Sequence, residues 1–206
     1  MIKTGPERAP TLILAHGAGA GSHSPFLETI AKKLAERDIA CIRFEFPYMQ
    51  KTQSDGKKRP PDRMPKLETS FRNVFTKTED VPLFIGGKSL GGRVASHLAD
   101  ELNAAGLICL GYPFHPPAKP ERTRVAHLKF LQTPTLIVQG ERDRFGSKTE
   151  IKNYPLSEKI RIAWSPDGDH DLKPRKASGR THSQNLEDCA DEIALFINSR
   201  CQVISS

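Results

Sequence analysis

The stretch FIGGKSLGGR, Phe84 to Arg93, decides how this chain is read. An apolar run stops at two glycines, a Lys-Ser pair follows, two more glycines come next, and helix-forming residues begin. A serine set among glycines has three chemical readings. A phosphate loop needs G-x-x-x-x-G-K-[ST], and its first glycine would fall on Pro82, with buried strand residues where a flexible cradle belongs. A dinucleotide loop is approached by HGAGAGS (16–22), but its third glycine would be Ser22, and Ser89 would be left without a role. The third reading is a nucleophile turn, G-x-S-x-G, as Gly87-Lys88-Ser89-Leu90-Gly91. Here the serine sits on a strained strand-to-helix bend, and side chains two before or two after it would collide across the turn.

The surroundings have to supply that bend. Short, nearly continuous apolar runs recur at 11–17, 40–47, 82–87, 105–113, 133–141 and 159–166. Continuous rather than alternating runs suit strands covered on both faces. Helical periodicity lies between them. SPFLETIAKKLAERD (24–38) puts Leu27, Ile30, Ala31 and Leu34 on one face, with Ser24 as cap and Pro25 at the first helical position. The last segment aligns Leu186, Ala190, Ile193 and Ile197. This alternation predicts a three-layer α/β sandwich with a mostly parallel sheet of about six strands. Residues 1–206 are expected to form a single domain. The polar, proline-containing segment 50–65 is expected to be a mobile loop.

Function in such a sheet gathers at the carboxyl ends of the strands. A serine hydroxyl needs a base, itself oriented by an acid, and on this kind of sheet they follow the serine in the order acid, then histidine. Asp143 stands after the 133–141 run in GERDRFG, and His170 after the 159–166 run in DGDHDLK. Glu141 and Asp169 are substitute acids. Of the seven histidines, only His170 lies in the loop after the last strand. A calcium-loop reading of DGDHD fails, because Leu172 and Ser178 occupy the required glycine and glutamate positions. Two backbone N–H groups must also face the oxyanion of a tetrahedral intermediate. Leu90, at the helix start, and Ala18, in the first glycine cluster, are the candidates.

Composition excludes other classes. The formal charge of +7 is concentrated in two polar segments, 51–66 and 173–180, without interleaved aromatics, so no nucleic-acid partner is expected. No apolar stretch approaches the ~20 residues that span a bilayer, so no membrane partner is expected. The opening MIKTGPERAP lacks an apolar signal region, and the four cysteines show no metal-binding or disulfide pattern. A cytoplasmic protein with free thiols, no metal and no cofactor is the expectation.

HGAGAG, GKSLGG, the GERD loop and DGDHDLK together resemble the α/β-hydrolase superfamily, nearest its small, cap-poor branch related to dienelactone hydrolases and to the Tex30-like group. The resemblance runs from about Thr11 to Ile197. It implies a Ser89–Asp143–His170 triad and an oxyanion hole from Ala18 and Leu90. The chain departs from the family in that only ten residues precede Thr11, so the strands that usually come before the oxyanion loop are expected to be missing and the sheet minimal. Dienelactone hydrolases carry a cysteine where this chain has Ser89, so their substrate is not implied. The resemblance makes a carboxylesterase of small esters the default, and a catalytically silent interaction module of the same fold the alternative. The segment 111–132, where caps are commonly inserted, has room for a loop and one helix (120–131). Tyr112, Phe114 and His115 are expected at the substrate entrance, and Lys88 there either attracts an anion or is held in a salt bridge.

Overall fold

The continuous apolar runs become the strands of one sheet. The computed structural model describes residues 1–78 and 81–204. Its strands are β1 (Ile2–Thr4), β2 (Thr11–Ala15), β3 (Ala40–Phe44), β4 (Leu83–Lys88), β5 (Gly106–Leu110), β6 (Thr135–Gly140) and β7 (Ile160–Ser165). The helices are α1 (Pro25–Ala35), α2 (Pro47–Asp55), α3 (Met64–Phe75), α4 (Leu90–Leu98), α5 (Lys148–Ile151) and α6 (His182–Ile204). The sheet order is β1-β3-β2-β4-β5-β6-β7. All pairings are parallel except that of β1 with β3.

Two buried clusters explain the lack of alternation. Leu12, Leu14, Phe84, Ile108, Leu110, Leu136 and Val138 face α1 and α6 in one cluster. Their neighbours Ile13, Ala15, Ile85, Leu107, Cys109 and Ile137 face α3 and α4 in the other. Successive side chains point to opposite faces, and both faces are covered, so most positions in the runs are apolar rather than every second one. Each fully buried leucine or isoleucine contributes roughly 1.5–3 kcal/mol. Ser24 caps α1 by accepting the Leu27 N–H, with Pro25 in the first turn, as its sequence implies.

Three expectations need correction. A strand does precede Thr11. Ile2–Thr4 pairs antiparallel with β3 through Ile2–Arg43 and Thr4–Cys41, and three residues are too few to show a period. Much of 50–65 is helical. Helix α2 runs from Pro47 and buries Tyr48 and Met49, then stops at Gly56, whose left-handed backbone (φ 72°) donates to Thr52 O. The expected helix at 120–131 is a chain of turns, while Val125, Leu128 and Leu131 bury against the core. The Arg124 N–H, which a helix starting at Pro120 would aim at Pro120 O, donates instead to Phe114 O at 2.7 Å.

Candidate active site

Ser89 links β4 to α4 with φ 51° and ψ −112°, a backbone conformation rare for any residue with a side chain. Its N–H donates to Leu110 O at 2.9 Å, and its carbonyl accepts the Arg93 N–H at 3.0 Å, which starts the helix. The flanking glycines permit this by close approach. A Cβ on Gly87 would lie 2.6 Å from Ala15 O, and one on Gly91 2.4 Å from the same oxygen. The helix start is thus pressed against the end of β2, with the serine at the crest.

His170 reaches that crest from the loop after β7. Its Nε2 lies 2.9 Å from Ser89 Oγ, and its Nδ1 lies 2.8 Å from Asp143 Oδ2. A carboxylate only accepts, so Nδ1 carries the proton and Nε2 offers its lone pair to the serine hydroxyl. Asp143, fully buried, accepts further bonds from Phe145 N–H at 2.8 Å and Gln139 Nε2 at 2.9 Å. Gln139 is a residue the sequence reading missed. Its amide also bonds Tyr112 N–H and Gly146 O, so it locks the acid loop to the strand ends. A glutamine ending an apolar strand was its only signal. The Phe145 ring lies 4.2 Å from the His170 ring and limits its rotation.

The Leu90 N–H stands at the first position of α4, where no intrahelical acceptor exists and the helix dipole is positive. Ala18 lies in the loop after β2. Tyr48 Oη donates to Gly17 O and Ala18 O, both at 3.2 Å, and buried His16 accepts the Phe46 N–H at 3.1 Å while bonding Gly17 O at 2.7 Å. Burial holds the His16 imidazole below its usual range, which keeps it neutral in that acceptor role. Both carbonyls beside the candidate oxyanion donor are thereby pinned from behind.

A family model described as an alpha/beta hydrolase domain matches residues 8–198. The chain belongs to the α/β-hydrolase family. Solved structures carry the same fold. An α/β serine hydrolase without lid from Xanthomonas campestris superposes with a TM-score of 0.70 at 18% identity, covering 96% of this chain and 87% of that one. Dienelactone hydrolase from Anabaena variabilis gives 0.69 at 18% identity, with 95% and 88% covered. Est1E from Butyrivibrio proteoclasticus gives 0.68 at 16% identity, with 96% and 90% covered.

In this hydrolase a cavity of about 640 Å³ opens beside Ser89 and His170. Its apolar wall is Pro25, Phe26, Phe145 and Leu186, and Lys88, Arg144 and His182 add charge or polarity. The expected entrance residues Tyr112, Phe114 and His115 are elsewhere. Tyr112 and Phe114 are completely buried and His115 is 2% exposed, and none of them lines the cavity. The chain after β5 turns inward, because Tyr112 N–H is drawn to Gln139 and Tyr112 packs against Phe114 at 4.8 Å. The walls come instead from the start of α1, the loop after β6 and the start of α6. Lys88 does line the cavity, held by Asp171 at 3.2 Å, and burial lowers its pKa.

Two other histidines, His97 and His127, lie outside this constellation. His97 and His127 stack at 3.9 Å, and burial, with His97 and Arg93 beside it, pulls His127 down to about 4. A histidine depressed in the fold stabilises it while neutral. That contribution is complete above the unfolded value of roughly 6.5 and is lost as the pH falls toward the folded one. Urea unfolding midpoints should therefore drop between pH 6.5 and 4. His127→Gln should flatten that fall, and an unchanged slope would remove His127 as a source.

Proposed function

We propose that this chain is a serine carboxylesterase of small, short-acyl esters. The observation that carries the reading is the unbroken hydrogen-bonded line Ser89–His170–Asp143 opening on a cavity. In the proposed mechanism Ser89 Oγ attacks the acyl carbonyl while His170 Nε2 takes its proton, and Asp143 holds the imidazolium that forms. The carbonyl oxygen becomes an oxyanion facing the N–H groups of Ala18 and Leu90, each worth roughly 3 kcal/mol of transition-state stabilisation. His170 returns its proton to the departing alkoxide, leaving an acyl group on Ser89. Water, activated by the same imidazole, then releases the acid.

The remaining surface supports a small-molecule substrate rather than a nucleic acid. In the two basic segments Arg59 pairs with Asp55, Lys66 with Asp62, Arg175 with Asp167 and Arg180 with Asp188, so four of their ten cations are held in ion pairs within the chain. Cys41, Cys109 and Cys189 are buried free thiols, and burial pushes Cys41 up to about 12, which suits a reducing compartment such as the cytoplasm. Among the described residues no helix is long and apolar enough to cross a membrane.

The test is labelling with a fluorophosphonate followed by mass spectrometry, with Ser89 as the expected adduct. An unlabelled Ser89 in folded protein would favour a silent interaction module. Acyl length is a separate prediction. The segment after β5, where a cap would be inserted, turns into the core at Tyr112 and Phe114, so chain beyond the cavity's apolar wall is expected to stay in water, whereas each CH₂ buried is worth about 0.8 kcal/mol, or nearly fourfold in kcat/KM. Across p-nitrophenyl esters from acetate to palmitate, kcat/KM should peak at about two to six carbons, without interfacial activation. A steady rise to palmitate would reject the shallow site.

A further inference from the structure

Lys88 stands immediately before the nucleophile, and its side chain is 9% exposed. Its stem runs beside the first glycine cluster, where a Cβ on Gly17 would lie 3.8 Å from Lys88 Cγ. Its ammonium crosses the Phe26 ring at 5.5 Å and ends on the loop that carries the base. There Nζ donates to the backbone carbonyl of His170 at 2.7 Å and approaches Asp171 Oδ1 at 3.2 Å. Gly111 leaves the space for this meeting, since a Cβ on it would lie 2.8 Å from His170 O and 3.2 Å from Lys88 Nζ.

Burying an ammonium is costly, and a methionine would fill the same stem without that cost. What the lysine adds is a charge-assisted bond to one carbonyl. That carbonyl belongs to the residue whose imidazole must meet Ser89. Asp171 is a weaker partner, because its side chain is 65% exposed and its attraction is screened by water.

We infer that Lys88 is a positioning residue that ties the base loop to the nucleophile turn through the His170 carbonyl, holding Nε2 in register with Ser89 Oγ. The inference rests on the esterase reading for its kinetic consequence, and on the geometry alone for its structural one. Small displacements of a base from its nucleophile cost rate rather than affinity. The charge therefore acts on kcat, and substrate binding is left nearly as it was.

Lys88→Met is the test, read in two ways. On p-nitrophenyl acetate, kcat should fall about 30-fold with KM within threefold, while the thermal midpoint confirms a folded protein. In proton NMR the downfield His170 Nδ1–H resonance of the wild type should broaden or vanish in the variant. Asp171→Asn keeps the carbonyl bond and should retain kcat within threefold. Lys88→Gln, whose amide falls short of the carbonyl, carries the same expectation as the methionine variant and replaces it should that protein not fold. A variant at Lys88 with wild-type kcat and an unchanged resonance overturns the proposal. So does an Asp171→Asn loss equal to that at Lys88, since it would assign the effect to the ion pair. The resonance reports on the base whether or not esters are cleaved. A protein that hydrolyses nothing, yet loses the resonance at Lys88→Met, would refute the esterase reading and keep this one.

Discussion

Ser89→Ala is expected to lower kcat on p-nitrophenyl acetate by about 10⁵- to 10⁶-fold while leaving the circular dichroism spectrum and the thermal midpoint nearly unchanged. The chemical loss is complete, because alanine offers no oxygen to form the acyl intermediate and only the oxyanion donors and binding contacts remain. The structural loss is small. Ser89 is held by its backbone, through Leu110 O and the Arg93 N–H, and among the described residues its side chain bonds only His170. Removing a strained serine side chain from a positive φ does not relieve the strain, since alanine keeps its Cβ. A variant retaining a tenth of wild-type turnover, with contaminating esterase excluded by fluorophosphonate pretreatment, would remove Ser89 from the mechanism.

The second large effect is at the base. His170→Ala should lose about 10⁴-fold or more in kcat, because neither Ser89 nor the leaving group then has a proton partner. The controls are His182 and His115. His182 also lines the cavity, but its Nε2 is occupied with Asp171 O at 2.8 Å, and it lies on the exposed start of α6. His115 is buried and bonded to Pro116 O at 3.0 Å, away from the cavity. His182→Ala and His115→Ala should each keep kcat within threefold of wild type. Loss of activity at His182 instead of His170 would move the base to the helix start and break the line to Asp143.

The parts of this arrangement differ in how visible they are in one dimension. The bend at Ser89 is written in Gly87 and Gly91, because backbone atoms of β2 come within about 2.6 Å of where their Cβ atoms would be and no larger residue fits. Asp143 and His170 were legible by chain order and by their place after strands, both consequences of a parallel sheet collecting its loops on one edge. Gln139 was not legible. Its value lies in joining Tyr112, after β5, to Asp143 and Gly146, after its own strand, and that junction exists only once β5 and β6 are paired.

The sequence by itself determined the layered α/β architecture, the strained serine turn and the chain order of the candidate acid and base, because local stereochemistry and two-faced burial leave their mark residue by residue. It could not determine which side chains wall the cavity. Tyr112, Phe114 and His115 follow a strand end just as Ser89 does, but a bond from the Tyr112 N–H to Gln139 turns that segment into the core, while Pro25, Phe26, Phe145 and Leu186 converge from three distant loops and helices. The fate of Lys88 was decided in the same way. An ammonium beside a nucleophile would face a substrate or a protein partner with equal chemical right, and only the approach of the His170 carbonyl to 2.7 Å chose between them.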